Sequence, residues 1–416
     1  MTGAPNQVLL RADRLVGPDL GAWLSAGGGV GLERALADPT GVMALLERAD
    51  LRGMGGAGFP THRKWAAVAG QGDAVGKILV CNGNEDEPGT FKDRLLLEKT
   101  PHQVIEGALI AAAACAIDHI AFYINPHEAN AIEAMGSAVE GWRRHPLLAR
   151  LEAQLGRPLT LKVVISSGLY IGGEETAAIA SVDGGFPFPR RKPPWPAEQG
   201  VGGRPTLVNN VETLANLPHI VREGAPWYRD LGIGAATGTK IYSLSGDVLK
   251  PGAYELPMGT SLRELIFAHG GGMLQGKAFK AVFTGGPSNT LLTRGDLDVA
   301  LDFDSVRARH SRLGTGAMIV ISEGTDIVKR VTEYTDFFAH SSCGQCPPCK
   351  IGTHQMSRLL RRISEGQGTR ADLDALVNLC KILPGSGRCG LIDGAATVLD
   401  SSLYHFMAEY EAHLRS

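Results

Sequence analysis

Apolar positions along the chain follow two rhythms, and the rhythm changes from one region to the next. Short apolar runs at residues 77–82 (KILVCN), 120–124 (IAFYI) and 161–166 (LKVVIS) alternate with helically spaced stretches at 61–69 and about 101–116. Strands bounded by polar turns and separated by helices predict an α/β sheet domain. The longest apolar run, 108–117 (ALIAAAACAI), lies between Glu106 and Asp118. It is half the ~20 residues needed to cross a bilayer, so it predicts a buried Ala-rich helix.

Residues 1–45 read as an arm plus a helix, interrupted by Gly27, Gly28 and Gly29. From residue 240 to about 323, β-branched runs at 240–244, 281–284 and 316–321 surround one helix at 261–269, which predicts a small α+β unit. Beyond residue 328 the pattern is helical, including 357–364 and 370–383. The predicted organisation is therefore 1–45, 46–238, 239–326 and 327–416, with no repeat of solenoid period.

Charge narrows the functional classes. Lys and Arg number 41 against 43 Asp and Glu, which leaves no basic excess to drive nucleic-acid binding; the basic stretch at 189–193 is too short to change that. The N-terminus lacks the apolar core and small-residue cleavage site of a secretory signal. Seven cysteines, four of them in one set, fit a reduced cytoplasmic compartment better than a disulfide framework.

That set is Cys343, Cys346 and Cys349, on a C-x2-C-x2-C stagger, with Cys389 forty residues further on. Three thiolates on one tight turn and a fourth from a distant element suit a [4Fe–4S] cluster. A four-thiolate zinc site is the alternative, although zinc ribbons usually pair two C-x2-C units. Cys81, Cys115 and Cys380 fall in strand or helix patterns and read as small buried hydrophobes.

A second chemical signal is the loop RGMGGAGFPT. Gly53, Gly55, Gly56 and Gly58 let a backbone approach a ligand closely, and a helix from Thr61 would aim unpaired amides at an anion, with Lys64 in its first turn. A tight turn without a ligand is the alternative. The loop is neither a dinucleotide fingerprint, since the preceding residues 43–49 are helical in pattern, nor a Walker A loop. The acidic run NGNEDEPG follows the strand at 77–82, and Glu174-Glu175 follows another strand-to-glycine turn. Carboxylates there would accept ribose hydroxyls and repel a 2′-phosphate, favouring NAD over NADP. Asn209, Asn210 and Thr213 offer groups suited to a flavin edge.

Five ordered motifs, RGMGGAGFPTHRKW, CNGNEDEPGTFKDR, GLYIGGEETA, RPTLVNNVETL and SCGQCPPCK, resemble the FMN- and NADH-binding flavoprotein subunit of respiratory complex I. That subunit type recurs in NAD-linked formate dehydrogenases and NAD-reducing hydrogenases. The resemblance spans roughly residues 45–400. It implies an α/β flavin domain, a ubiquitin-like β-grasp domain and a C-terminal helical bundle holding the cluster. It also implies FMN, NAD(H) and [4Fe–4S] as cofactors. Gly53, Gly55, Gly56, Gly58 and Lys64 correspond to the FMN and NADH loop. Asn82, Asn84, Glu85 and Glu87 correspond to flavin and nicotinamide contacts; Tyr170, Gly173, Glu174 and Glu175 to a second flavin loop; Asn209, Asn210 and Thr213 to a third. Trp195 stands where the family carries an aromatic near the adenine, and Lys64 and Glu87 would serve the reaction itself.

The implied chemistry is a diaphorase: hydride passes between nicotinamide C4 and flavin N5, and single electrons pass through the cluster to or from partner subunits. The family's partners are a thioredoxin-like [2Fe–2S] subunit and a complex I, formate dehydrogenase or hydrogenase module. The chain itself has no membrane span and would sit at the periphery of a membrane complex. This chain departs from the family at Asn84 (usually Asp), Gly172 (usually Cys), Ala67 (an aromatic), Ser341 (Glu) and the Gly390-Leu391-Ile392 that follows the last cysteine. A relay or assembly subunit with another donor is the alternative.

Overall fold

The computed structural model describes residues 7–72 and 76–415, so the first six residues of the expected arm lie outside the described residues. Where one helix is predicted, three short ones follow: α1 (Leu20–Ser25), α2 (Val30–Ala37) and α3 (Pro39–Ala49). Asp19 and Asp38 cap α1 and α3 by accepting backbone N–H groups, and Gly29 turns the chain into α2 at φ +85°. Three short helices separated by a glycine run lack the length that makes helical periodicity legible.

The expected α/β domain then runs through α4 (Thr61–Ala69), β1 (Ile78–Gly83), α5 (Lys92–Lys99), α6 (Pro101–Cys115), β2 (His119–Ile124), α7 (Ala129–Arg143), α8 (Pro146–Leu155), β3 (Thr160–Ile165), α9 (Glu175–Val182), β4 (Thr206–Asn210), α10 (Val211–Glu223) and α11 (Ala225–Asp230). Its sheet is wholly parallel, in the order β3-β2-β1-β4. From β1 the chain builds outward through β2 and β3, then returns to add β4 on the opposite side. The strand order therefore reverses between β1 and β4, and a parallel sheet places its ligand crevice beyond the strand ends at such a point. Strand β4 is not among the runs read from the sequence: TLVNN has only two large apolar residues, and it becomes a strand by pairing with β1 from Ile78↔Thr206 to Asn82↔Asn210. Helix α6 is buried along nearly its whole length, as its composition predicts. It crosses α10 so closely that a Cβ on Gly107 would lie 2.0 Å from the Leu214 carbonyl oxygen.

A second, mixed sheet comprises β5 (Thr239–Gly246), β6 (Gly252–Pro257), β7 (Phe279–Thr284), β8 (Leu292–Thr293) and β9 (Ala317–Ser322), with α12 (Phe303–Arg307) before its last strand. The order is β6-β5-β9-β7-β8, and β5 and β9 pair in parallel. The predicted helix at 261–269 forms, with Glu264–His269 wound as a π-helix. The C-terminal region is helical: α13 (Ile327–Ser341), α14 (Pro347–Ser364), α15 (Arg370–Ile382) and α16 (Leu391–Ala412). Helix α14 starts ten residues earlier than its apolar periodicity indicates, because Pro347 and Pro348 preset its first turn. One apolar core joins the parallel sheet, its helices and part of the mixed sheet, while another fills the helical region and reaches Phe283 and Ile321. Among the described residues no helix is long and apolar enough to cross a membrane.

Candidate functional site

Beyond the ends of β1 and β4, three cavities lie side by side. The first, about 800 Å³, is walled by the glycine loop: Gly53, Gly56 and Gly58 line it together with Lys64, Glu175, Trp195, Asn209 and Thr213. The second, about 710 Å³, takes Asn84, Glu85, Glu87, Tyr170 and Glu174 from the acidic loops. Gly55, Asn82, Gly173 and Asn210 line both, so these two cavities meet over the strand ends. The third is small and lined by Cys343, Cys346, Cys349 and Cys389. Ile171, Cys389 and Leu391 line both the second and the third. Every site residue singled out in the sequence thus faces one of three adjoining spaces.

At the first cavity, Lys64 Nζ lies 2.5 Å from Glu175 Oε1 and donates to the Val208 carbonyl at 2.7 Å. Lys192 Nζ lies 2.7 Å from Glu175 Oε2 and 5.6 Å from the Trp195 ring centroid. Burial alone would raise the Glu175 pKa, but the two lysines outweigh it and hold it below the usual carboxylate value. The loop fits only as glycine at two points: a Cβ on Gly55 would lie 2.9 Å from Asn210 Cβ, and one on Gly58 (φ +62°) would lie 2.6 Å from the Phe303 ring.

Several polar side chains expected to face a ligand are committed to scaffolding instead. Asn210 Oδ1 accepts from Lys92 Nζ (3.1 Å) and the Glu212 amide (3.0 Å), while its Nδ2 donates to Asp93 (2.6 Å). Asn209 accepts from Trp65 Nε1 at 2.8 Å, and Thr213 Oγ1 accepts the Met54 amide at 2.8 Å. The Glu85 carboxylate caps α5 by accepting the amides of Lys92, Asp93 and Arg94. Burial, reinforced by Asp93, pushes Glu85 up to about 7 despite Lys92 and these amides.

Below Asn210 lies a buried ionic network that sequence reading did not single out. Lys92 pairs with Asp93 (2.7 Å) and Glu212 (3.0 Å), and Lys240 from β5 pairs with the same Glu212 oxygen (3.2 Å) and donates to the Met54 carbonyl. Burial opposes the charge on Lys92, yet its carboxylate neighbours outweigh that and raise its pKa; Lys240 is instead lowered by burial to about 8. The one signal in the sequence was the placement of these lysines, Lys92 opening a leucine-rich helix and Lys240 near the start of an apolar strand.

In the second cavity Glu87 takes one donor on each oxygen: the Tyr170 hydroxyl at 2.7 Å and the Ser288 hydroxyl at 3.0 Å. Burial raises Glu87 to about 7, against the pull of these two bonds. The Tyr170 ring packs edge-on against Phe337 (centroids 5.0 Å) and Phe338 of α13. Asn84 donates to Asp86 Oδ2 (2.9 Å) and to the Leu169 carbonyl (3.1 Å), and accepts from Ser166. An aspartate at position 84 could make neither donation and would face Asp86 with like charge. A Cβ on Gly172 would lie 2.9 Å from Ser167 Oγ and 3.0 Å from Tyr123 Oη. The residues around both departures from the family are therefore fitted to the residue present.

At the third cavity, Ser342 Oγ lies 3.4 Å from Cys349 Sγ, and Gln345 Nε2 donates toward Cys343 Sγ at 3.9 Å. Burial raises the thiol of Cys349, and that of Cys389 to about 11, so a bound cation would have to displace protons from both. Among the described residues no group of three or more His, Cys, Asp or Glu is arranged to hold a metal ion.

Residues 46–219 match the Nuo51 FMN-binding domain, 241–289 the SLBB domain, and 329–413 the NADH-ubiquinone oxidoreductase-F iron–sulfur binding region. The chain is similar to the F 2 subunit of the NADH-quinone oxidoreductase of Rhizobium meliloti (strain 1021), with 44% identity over 412 residues, 98% of this chain and 97% of that one. It is 42% identical over 376 residues to the HndC subunit of the NADP-reducing hydrogenase of Solidesulfovibrio fructosivorans, covering 90% and 76% of the two chains. The fold superposes on a chain of an NAD+-reducing [NiFe]-hydrogenase in the H2-reduced state with a TM-score of 0.85 and 34% identity, covering 95% of this chain and 67% of that one.

Proposed function

Since the chain belongs to the family of the NADH-quinone oxidoreductase F subunits, we propose that its three adjoining cavities hold, in order, the nucleotide, the flavin with the nicotinamide, and the [4Fe–4S] cluster. The chain is an oxidoreductase subunit that exchanges a hydride between NAD(H) and FMN and single electrons with its partners. The observation that carries the spatial reading is the shared wall: Cys389 lines both the acidic cavity and the cysteine cavity.

The residues present fit these groups. The first two cavities lie within the size range of small-molecule sites, and they join over the strand ends where a parallel sheet takes its ligand. Gly53, Gly55, Gly56 and Gly58 would bring backbone against the phosphates and Lys64 would supply charge, with Glu175 taking ribose hydroxyls and Trp195 the adenine. Asn82, Asn84, Glu85, Gly173 and Glu174 would shape the flavin pocket. Asn209, Asn210 and Thr213 would hold it from beneath through backbone, since their side chains are engaged. Glu87 would orient the nicotinamide amide, and Tyr170 would fix Glu87. FMN, when bound, takes up a hydride and releases electrons one at a time, which joins a two-electron donor to a one-electron acceptor. Cys343, Cys346, Cys349 and Cys389 would ligate the cluster. The Ser342 hydroxyl beside Cys349 Sγ and the Gln345 amide N–H2 directed at Cys343 Sγ suit cluster thiolates, whose sulfurs accept hydrogen bonds.

The domain reading is 46–238 for the flavin and nucleotide, 239–326 as a ubiquitin-like β-grasp unit, 327–416 for the cluster, and 1–45 as the arm. In favour of the β-grasp is the parallel β5–β9 pair within a mixed five-stranded sheet. A chain with one four-cysteine set needs partners to carry electrons on. We assign it a thioredoxin-like [2Fe–2S] subunit and a complex I, formate dehydrogenase or hydrogenase module, in the cytoplasm and at the periphery of any membrane complex. The test is an anaerobic NADH titration of the purified chain: NADH bleaches the flavin band, and a flavin that NADH leaves oxidised refutes the reading.

A further inference from the structure

We propose that Ser288, contributed by the mixed sheet, is a positioning residue of the hydride site: it fixes Glu87 in one orientation and keeps it a hydrogen-bond acceptor toward the nicotinamide amide. The inference rests on the reading that the second cavity takes the nicotinamide.

Ser288 lies in the loop after β7. Gly285 donates its amide to the Ala317 carbonyl at 2.6 Å, and Asn289 Nδ2 donates to the Thr284 carbonyl at 2.8 Å, which ties both ends of the loop to the sheet. The loop lies directly against the carboxylate: a Cβ on Gly286 (φ +91°) would fall 2.2 Å from Glu87 Oε1. No residue with a side chain could bring its backbone so close. On the other side, a Cβ on Gly394 of α16 would lie 3.1 Å from Ser288 Cβ. Ser288 is therefore held between the flavin-domain loop and the helix that follows Cys389, at the junction of all three units.

Glu87 has no ion-pair partner among the described residues; its bonds are the hydroxyls of Ser288 and Tyr170, one per oxygen. The ionisable groups around it are Glu85 and Asp86 on its own loop, Asp93 of α5, Tyr170 and Glu174 before α9, Cys389 just before α16 and Asp393 in its first turn, and His310 and Arg312 from the mixed-sheet unit. An ionised carboxylate can only accept, whereas a protonated one presents an O–H donor. Burial drives Glu87 toward protonation near neutral pH, and the two hydroxyls oppose it. Removing one donor therefore shifts the balance where it matters, and a carboxamide N–H2 bonds more strongly to the ionised form, both of whose oxygens accept.

The experiment is a pH titration of the carboxyl band by difference infrared spectroscopy on the flavin-loaded protein, with Glu87→Gln identifying the band, alongside steady-state NADH kinetics. Ser288→Ala should raise the half-protonation pH of Glu87 by about one unit, a tenfold change in the protonation equilibrium, and raise KM for NADH at pH 7 with a smaller change in kcat. Ser288→Thr, which restores the hydroxyl, should return both values. Ser288→Cys, close in volume but a weak donor, serves if the alanine variant is unstable and should shift in the same direction. A titration in Ser288→Ala that superimposes on the parent overturns the proposal. A shifted titration with an unchanged KM overturns the positioning role while leaving the hydrogen bond. Failure of NADH to bleach the parent's flavin is a separate result, and it sinks the functional reading instead.

Discussion

Lys92→Met replaces a buried ammonium by an apolar chain of similar length in the network under Asn210. Lys92 and Glu212 are both fully inaccessible, and Asp93 nearly so. Deleting the charge leaves Glu212 with Lys240 at 3.2 Å and the Ile241 amide at 2.8 Å, so that carboxylate stays compensated. Among the described residues, the Asp93 carboxylate then keeps only Asn210 Nδ2, at 2.6 Å. Removing one partner of a buried pair typically costs 3–5 kcal/mol, and because Glu212 keeps a cation the expected loss is at the low end, about 3 kcal/mol. Native-state hydrogen exchange reads it directly: amides of α5 and α10 that open with the sheet domain should lose roughly a hundredfold in protection at pH 8. The sign of the pH dependence follows from proton counts. Lys92 has its pKa raised in the fold, so its stabilisation in the parent is complete below the unfolded lysine value and constant through neutrality. In the variant an uncompensated carboxylate takes a raised pKa, the folded state binds more protons than the unfolded one, and the penalty should shrink between pH 8 and pH 5. Lys92→Met/Asp93→Asn, which removes the stranded charge, should recover part of the loss. A penalty under about 1 kcal/mol, or one equal at both pH values, would refute the account of a charge-compensated network.

Further outcomes follow from the same geometry. Ala67 lines the glycine-loop cavity with Phe59 and Trp195; if that cavity takes the adenine, Ala67→Phe adds a stacking face worth about 0.5–1.5 kcal/mol. KM for NADH should then fall roughly two- to tenfold, and an unchanged KM would place the adenine elsewhere. Cys389→Ser should abolish the cluster's visible absorbance and low-temperature EPR signal while NADH still bleaches the flavin; full iron content in the variant would exclude Cys389 as a ligand. Gly58→Ala meets both the Phe303 ring at 2.6 Å and a left-handed φ, a backbone cost on the order of 1–2 kcal/mol before the clash. FMN content should drop. Adding Phe303→Ala should relieve the clash alone, giving partial recovery.

Residue order alone carries the chemistry and the succession of its parts. The C-x2-C-x2-C stagger with its distant fourth cysteine, the glycine loop, the acidic turn after β1 and the alternation of strands with helices are local patterns, because spacing along a chain dictates which groups share a turn or an element's face. What required the folded chain is the partnership of residues far apart in it. Strand β4 exists because β1 offers it a parallel edge. Asn210 and Glu85, legible as ligand groups, are taken up by Lys92, Asp93 and the first turn of α5, which no sequence pattern discloses. Ser288 lies 201 residues from Glu87, and Lys240 lies 186 from Met54; each becomes part of the site only when the mixed sheet docks on the parallel one. Buried polar groups must find partners wherever the packed fold supplies them, and the distance along the chain carries no record of that choice.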